Sequence, residues 1–218
     1  MMNVNLEKHI DLLVKRYPAL EDIRRSIEAA YECMERSFMG GGKLLIAGNG
    51  GSAADCEHIA GELMKGFKLR RELSPEEKDA LCSVDPELGA LLSEKLQGAL
   101  PCISLVNHPA LNTAFLNDVD GLFCFAQQVY GYTRKGDVFL GISTSGNSKN
   151  ILYAAAAAKA KGATTIAFTG KSGGKLAELC ELSVKLPENE TYMIQEYCLP
   201  VYHCWCLMLE DKFFGGIS

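Results

Sequence analysis

Five short apolar runs, Lys43–Ala47, Cys102–Val106, Val138–Ile142, Thr164–Phe168 and Leu182–Leu186, are spread along this chain with helix-patterned segments between most of them. Each is too short for a helix and apolar on consecutive rather than alternate positions, as a strand reads when both of its faces are buried. Strand and helix in alternation imply right-handed crossovers and a parallel sheet covered by helices on both sides. The helical segments fall at 52–65, 109–132, 148–161, 173–180 and about 191–213. With 218 residues, the chain has the length of one α/β domain.

Two stretches lie outside that alternation. Residues 3–38 read as helical, with Leu6, Ile10, Leu13, Val14 and Tyr17 on one face and Leu20, Ile23, Ile27, Ala30 and Met34 continuing the spacing. Pro18 interrupts the pattern, so two helices are predicted, the second starting near Ala19, with Gly40-Gly41-Gly42 as the stop. Residues 68–100 form the other stretch, rich in charge at first. Ser74 before Pro75 and Asp85 before Pro86 look like N-caps with proline at the first helical position. A two-helix insertion within a single domain is predicted there, too short to hold its own core.

Composition excludes several classes. Hydrophobic residues make up 48% and charged residues 22%, which rules out disorder, and a net charge of −5 gives no basic footprint for nucleic acid. No apolar run approaches a membrane span and residues 1–7 are polar, so a soluble, cytoplasmic protein is expected. The nine cysteines include no C-x-x-C pair, and Cys204 and Cys206 lie in an apolar helical stretch. They read as reduced, mostly buried thiols.

Parallel sheets bind ligands where strands end and helices begin. Two strand ends carry unusual loops here, Gly48-Asn49-Gly50-Gly51-Ser52 and Ser143-Thr144-Ser145-Gly146-Asn147-Ser148. Both offer backbone N–H groups at a helix N-terminus, and the second adds hydroxyls, which suits an anion and phosphate above all. Capping alone would explain one such loop. Two at strand ends of one sheet point to a bound phosphate. The first loop formally matches a dinucleotide fingerprint, but the charged stretch stands where a second strand with its acidic residue is needed. Gly170-Lys171-Ser172 mimics the end of a P-loop, yet position 165 is threonine where that pattern needs glycine. Neither indicates a nucleotide.

On the helix after the first loop, His58 and Glu62 are four residues apart and share a face, so both can approach one metal or substrate. His203 lies in the last helix, eight residues after Gln195. A carboxylate and an imidazole near a phosphosugar are what proton transfer next to a carbonyl requires.

Gly48-Asn-Gly-Gly-Ser52, His58-x-x-x-Glu62, Asn117-Asp118, Gly141-Ile-Ser-Thr-Ser-Gly-Asn-Ser148, Thr169-Gly-Lys-x-Gly-Gly-Lys175 and Ile194-Gln-Glu196 followed by His203 occur in this order. With them the chain resembles the sugar-isomerase (SIS) family, and within it the phosphoheptose isomerases that act on sedoheptulose 7-phosphate. The serine-rich motif alone marks only a phosphosugar-binding SIS domain, regulators included. His58, Glu62, Gln195 and His203 together are more specific. The resemblance implies a three-layer αβα sandwich around a five-stranded parallel sheet, assembled as a homotetramer with active sites at subunit interfaces. It implies a phosphate held by Ser143, Thr144, Ser145 and Ser148, and a sugar lined by Asn49, Gly50, Gly51, Ser52, Asn117 and Asp118, with Glu62 and Gln195 also touching substrate. It implies zinc on His58, Glu62, Gln195 and His203, and proton transfer by Glu62 and His203.

The activity so implied is aldose–ketose isomerisation through an enediol, giving D-glycero-D-manno-heptose 7-phosphate, with Glu62 and His203 sharing the acid and base roles in either order. A non-catalytic phosphosugar sensor or adaptor, and an isomerase of pentose or hexose phosphates, are the rivals. Retention of Glu62 and His203 favours the enzyme. One geometric problem is visible in advance: Gln195 and His203 are about 12 Å apart along a regular helix. Either Pro200 kinks that helix, or Gln195 sits at an irregular start, or the two come from different subunits. The same helix is apolar on nearly every side (Tyr197, Leu199, Val201, Tyr202, Trp205, Leu207, Met208, Leu209), and one sheet surface covers one side only, so a homo-oligomer is predicted.

Overall fold

The computed structural model describes residues 4–215, so residue 3 of the first helical reading lies outside the described residues. Helix α1 spans Val4–Arg16, and α2 spans Arg24–Met39. Between them Pro18–Ile23 is a 3-10 segment with proline in its first turn, where the reading from sequence started an α-helix near Ala19. Proline fixes one dihedral and removes one donor, and the tighter winding persists until Arg24.

Five strands follow as foreseen: β1 (Leu44–Ala47), β2 (Cys102–Ser104), β3 (Val138–Ser143), β4 (Thr164–Thr169) and β5 (Leu182–Lys185). All pair in parallel in the order β2-β1-β3-β4-β5. Their side chains alternate between two cores. Leu44, Ile46, Val138, Leu140, Ile142, Ile166, Phe168 and Val184 face α1, α2, α3 (Gly51–Met64) and α10 (Thr191–Phe214). Leu45, Ala47, Phe139 and Ala167 face α7 (Cys124–Tyr132), α8 (Lys149–Ala160) and α9 (Gly174–Leu179). Ala154, Ala155 and Ala158 give α8 a thin buried face against the sheet.

The helical reading of 109–132 divides into α6 (Pro109–Asp118) and α7. Between them stands a 3-10 turn at Gly121–Phe123, started by Asp120, whose side chain accepts from the Leu122 N–H at 2.8 Å. The 68–100 stretch carries α4 (Pro75–Val84) and α5 (Pro86–Lys95), capped by Ser74 and Asp85 as read. Ser74 and Glu77 form a reciprocal capping box, and Gly89 lets α5 pass so close to Cys82 that a Cβ would collide with its backbone. All nine cysteines are free, seven of them buried. Among the described residues, no helix is long and apolar enough to cross a membrane.

The burial of α10 corrects one argument. Within a single chain it is covered by α1, α2 and α3 as well as by the sheet; Trp205 packs at a tilt against Phe168, ring centroids 5.1 Å apart, and donates from Nε1 to the Ile27 carbonyl at 2.9 Å. Its all-round apolarity is therefore satisfied largely inside the protomer, with Leu199 and Tyr192 as its exposed apolar residues.

Near the end of α10, Glu210 is buried and accepts from the N–H groups of Phe67, Lys68 and Leu69 at 2.7, 2.8 and 3.1 Å. It also accepts from Arg71 Nε at 2.9 Å, and both side chains are essentially without solvent exposure. Arg71 spends its other nitrogens on the carbonyls of Leu63 and Glu62, the last turn of α3, and lies over the Phe214 ring. Removing one member of a buried pair strands the other charge. Arg71→Met should lower unfolding free energy by about 3–5 kcal/mol, read as a fall in urea midpoint. A midpoint equal to wild type would show that Glu210 does not need its partner.

Candidate functional site

β1 and β3 are neighbours, yet from β1 the chain crosses to β2 on one side while β3 leads to β4 on the other. That divergence opens a crevice outside the carboxyl ends of the two central strands, which is where ligands bind in open α/β sheets. The loops after those two strands are the two singled out in the sequence. Gly50 takes φ +56° as the chain enters α3, and Gly48 passes so near Ser52 that a Cβ would not fit. Across the crevice, Asn49 and Asn150 exchange two amide hydrogen bonds, at 3.0 and 2.8 Å. This pair ties the first loop to the first turn of α8. Asn150 was missed from sequence, although it stands just two residues beyond Ser148.

The second loop is preorganised rather than capped. Ser148 occupies the N-cap position of α8 but makes no side-chain cap; its Oγ lies 3.0 Å from Ser143 Oγ. Ser143 is buried and Ser145 exposed, and Asn147 N donates to Ser145 Oγ at 3.2 Å. Gly146, at φ +66°, meets the Gly173 carbonyl so closely that no side chain could stand there. Further bonds run from Gly170 N to the Thr144 carbonyl (3.0 Å), from Leu176 N to the Gly146 carbonyl (2.9 Å) and from Lys175 N to Asn147 Oδ1 (3.2 Å). The P-loop look-alike at Gly170–Ser172 thus belongs to a brace for the serine loop. Small hydroxyls and a helix N-terminus held in this way form a cradle for an oxyanion.

The third group lies along α3 and α10, which run side by side. His58 Nε2 is 3.3 Å from Glu62 Oε1, and the His58 and His203 rings are 5.0 Å apart, edge to face. Phe67 packs on His203 at 5.2 Å. His58 Nδ1 is bonded to Tyr202 Oη at 2.9 Å. Burial, with His58 beside it, holds the His203 imidazole below its usual pKa, against the pull of Glu62. Burial likewise raises Asp55, which faces Tyr202 and His58, and Tyr202 is raised by burial and then by Asp55.

Gln195 lies elsewhere. Its amide packs against Gly51 so tightly that a Cβ would come within 2.5 Å of Nε2. Gly51 precedes His58 by two turns of α3, about 10 Å along the axis, and no hydrogen bond joins Gln195 to the three-residue cluster. α10 runs as one helix through Pro200. Asn117 and Asp118, at the end of α6, are exposed and bond to each other at 2.7 Å, with no hydrogen bond to either loop. A cavity of about 290 Å³ lined by Leu116 and Asn112 of α6 and by Asn150 lies between α6 and α8.

The donor set suits a borderline cation such as zinc in chemistry. Glu62 Oε2 and His203 Nε2 are both buried without a hydrogen-bond partner, as ligand atoms awaiting a cation would be, although Lys65 Nζ stands 3.5 Å from the former. Among the described residues, no group of three or more His, Cys, Asp or Glu side chains converges closely enough to hold a metal as placed.

The comparisons with known proteins agree on kinship. The SIS domain family model matches residues 12–82 and 87–170. The phosphoheptose isomerase of Aneurinibacillus thermoaerophilus is 34% identical over 216 residues, covering 98% of this chain and 96% of that protein. The phosphoheptose isomerase of Burkholderia pseudomallei (strain 1710b) is 37% identical over 195 residues, covering 89% and 86%. Among solved structures, the phosphoheptose isomerase of Francisella tularensis superposes with a TM-score of 0.74 at 26% identity, covering 97% of this chain and all of that one. That of Neisseria gonorrhoeae gives 0.72 at 28%, covering 95% and 97%.

The amide pair across the crevice generates a prediction. Two exposed neutral hydrogen bonds contribute modestly to stability, about 0.5–1.5 kcal/mol each. Asn150→Ala should therefore leave the fold intact while weakening binding of a phosphorylated sugar roughly tenfold, since the first loop loses its tie to α8. Calorimetric titration measures this; equal affinity would show that the loop holds its shape unaided.

Proposed function

The chain belongs to the SIS domain family, and from that membership and the geometry above we propose that it is an aldose–ketose isomerase of heptose 7-phosphates. It interconverts sedoheptulose 7-phosphate and D-glycero-D-manno-heptose 7-phosphate. The single observation that carries this reading is the pairing of a braced serine cradle at the end of β3 with Glu62 and His203 at the α3–α10 contact. Identity of 34% with a phosphoheptose isomerase, over nearly the full length of both chains, supports it.

In this reading the serine loop and the α8 N-terminus bind the phosphate, far from the reacting carbons, and its binding energy holds the carbonyl end in place. Asn49, Gly50, Gly51 and Ser52 line the sugar, with Asn117 and Asp118 approaching from α6. Glu62 removes the proton from the carbon next to the carbonyl and returns it to the neighbouring carbon. His203, kept neutral by burial, carries the proton between the two oxygens as the enediol forms and collapses. A zinc ion held by His58, Glu62 and His203 would supply Lewis-acid polarisation of the carbonyl, with Gln195 standing apart beside Gly51. Residues 68–100 are an elaboration of one SIS domain. The free cysteines support a reducing, cytoplasmic setting.

We further propose a homotetramer. Leu12 and Leu199 are 51% and 42% exposed, and with His203 they line a cavity of about 140 Å³ between α1 and α10, so an apolar outer surface adjoins a proposed catalytic group. Light scattering at micromolar concentration should give a mass near four chains of 23.7 kDa. A monodisperse single-chain mass would reject the assembly.

Turnover tests the chemistry. Glu62→Gln keeps the shape but cannot accept a proton, so turnover of sedoheptulose 7-phosphate should fall by at least about 100-fold with binding retained. Activity within about tenfold of wild type would remove Glu62 from the proton path.

A further inference from the structure

The 68–100 insertion takes no part in the chemistry proposed above. Apolar packing does not seat its helices on the body: α4 has no buried residue, and α5 buries only Gly89, against α4 itself. Polar contacts after α5 fasten the hairpin instead. Gln97 Oε1 accepts from the Gly66 N–H, and Gly98 N donates to the Arg71 carbonyl, both at 2.8 Å.

A cavity of about 250 Å³ lies beside these contacts, far larger than the roughly 10–15 Å³ that one water needs. It is lined by Arg70, Arg71 and Glu72, by Lys78 of α4, and by residues 93–97 of α5 and the turn after it. Its charges do not cancel. Arg71 is matched by Glu210, which does not line the cavity, and Glu94 is held by its neighbour Lys95 at 2.6 Å. Arg70 and Lys78 are left with one carboxylate, Glu72, at 3.6 and 3.8 Å, each too long for a hydrogen bond. Glu77, in the first turn of α4, is bound to the Ser74 N–H. One cation is thus in excess at this cavity, in a chain whose net charge is −5.

The neutral groups are donors without acceptors. Ser93 Oγ is buried and has no hydrogen-bond partner among the described residues. A helical serine can give its proton to a carbonyl three or four residues back, as Ser83 does to Ala80 at 2.7 Å. Ser93 does not. Gln97 has spent its oxygen on Gly66, so its NH2 group is what remains to offer. Hydroxyl, amide, guanidinium and ammonium donors around one cavity, with positive charge left over, match an oxyanion. Because they come from three segments, a tetrahedral phosphate group meets them better than a flat carboxylate with two oxygens.

We propose that this cavity binds a phosphate group, at a site separate from the serine loop, and that the anion clips the α4–α5 hairpin to the body. Lys78 from α4, Ser93 from α5 and Arg70 from the preceding stretch donate to it, so one ligand joins segments that no buried apolar contact joins. The inference is independent of the isomerase reading, since no lining residue belongs to the proposed catalytic set or to the serine cradle.

Hydrogen exchange of the full chain, titrated with inorganic phosphate against chloride at equal ionic strength, reads the clip. Exchange across residues 75–95 should slow by roughly tenfold when phosphate reaches about ten times its Kd. Lys78→Met combined with Ser93→Ala should abolish that slowing while leaving residues 143–148 as responsive to phosphate as in wild type. Should the double variant not fold, Lys78→Met alone carries the test, at a side chain that is 40% exposed. A parallel titration with glycerol 3-phosphate separates the sources: slowing by the free ion alone assigns the site to inorganic phosphate, and slowing by both assigns it to phosphate esters as well. No slowing with either, equal slowing with chloride, or unchanged slowing in the variant overturns the proposal. A response at 75–95 without one at 143–148 would count against the serine loop and leave this site standing.

Discussion

A parallel sheet brings every strand's carboxyl end to one edge, and the divergence of the crossovers to opposite sides at β1 and β3 leaves that edge uncovered at its centre. Everything proposed for this protein depends on that constraint. The two loops that bear glycine and serine are far apart in sequence, yet adjacent strands place them side by side, with Ala47 opposite Gly141 in register. Helices must start from those loops, and their first N–H groups need acceptors. At α8 the Ser148 hydroxyl does not supply one. A ligand with oxyanion character can, and the brace from Gly170–Leu176 keeps the loop open to it.

A second constraint sits at the other end of α3. Its last turn would expose the carbonyls of Glu62 and Leu63, and Arg71 takes both. The guanidinium is paired with Glu210, whose carboxylate also gathers three successive N–H groups from Phe67 to Leu69. One buried ion pair thus stops α3, fixes the turn after it and puts Phe67 against His203. A cluster assembled from two helices needs both held axially, and here the lock lies about two turns of α10 beyond His203. Such a pair adds little net stability, because desolvation offsets its attraction, but losing either partner would strand the other charge at this junction.

How much of this was legible in the sequence follows from the range of the interactions. Strand positions, the caps at Ser74 and Asp85 and both ligand loops were readable because local patterns determine them. The division of 109–132 by Asp120–Phe123 was missed, since the apolar spacing continues across it. The burial of α10 was misjudged because the sequence cannot show α1, α2 and α3 wrapping it. Among the candidate residues, the juxtaposition of His58 and Glu62 was readable from their spacing on one helix. The contacts of Tyr202 and Asn150 were not, because each is made with a partner on another element, 144 residues away for Tyr202 and 101 for Asn150. Arg71 looked like one more member of a charged run; only its contact with Glu210 distinguishes it.

The placement of Gln195 bears on how the site is put together. Its amide packs against Gly51, so a side chain at 51 would push the end of Gln195 aside. Gln195 therefore belongs spatially with the sugar-lining loop, while His203, on the same helix, belongs with His58 and Glu62. α10 thus runs past both the loop after β1 and the group formed by His58, Glu62 and His203. A substrate with its phosphate on the serine loop and its carbonyl near Glu62 would have to pass Gln195, and an amide there can donate to one hydroxyl and accept from another.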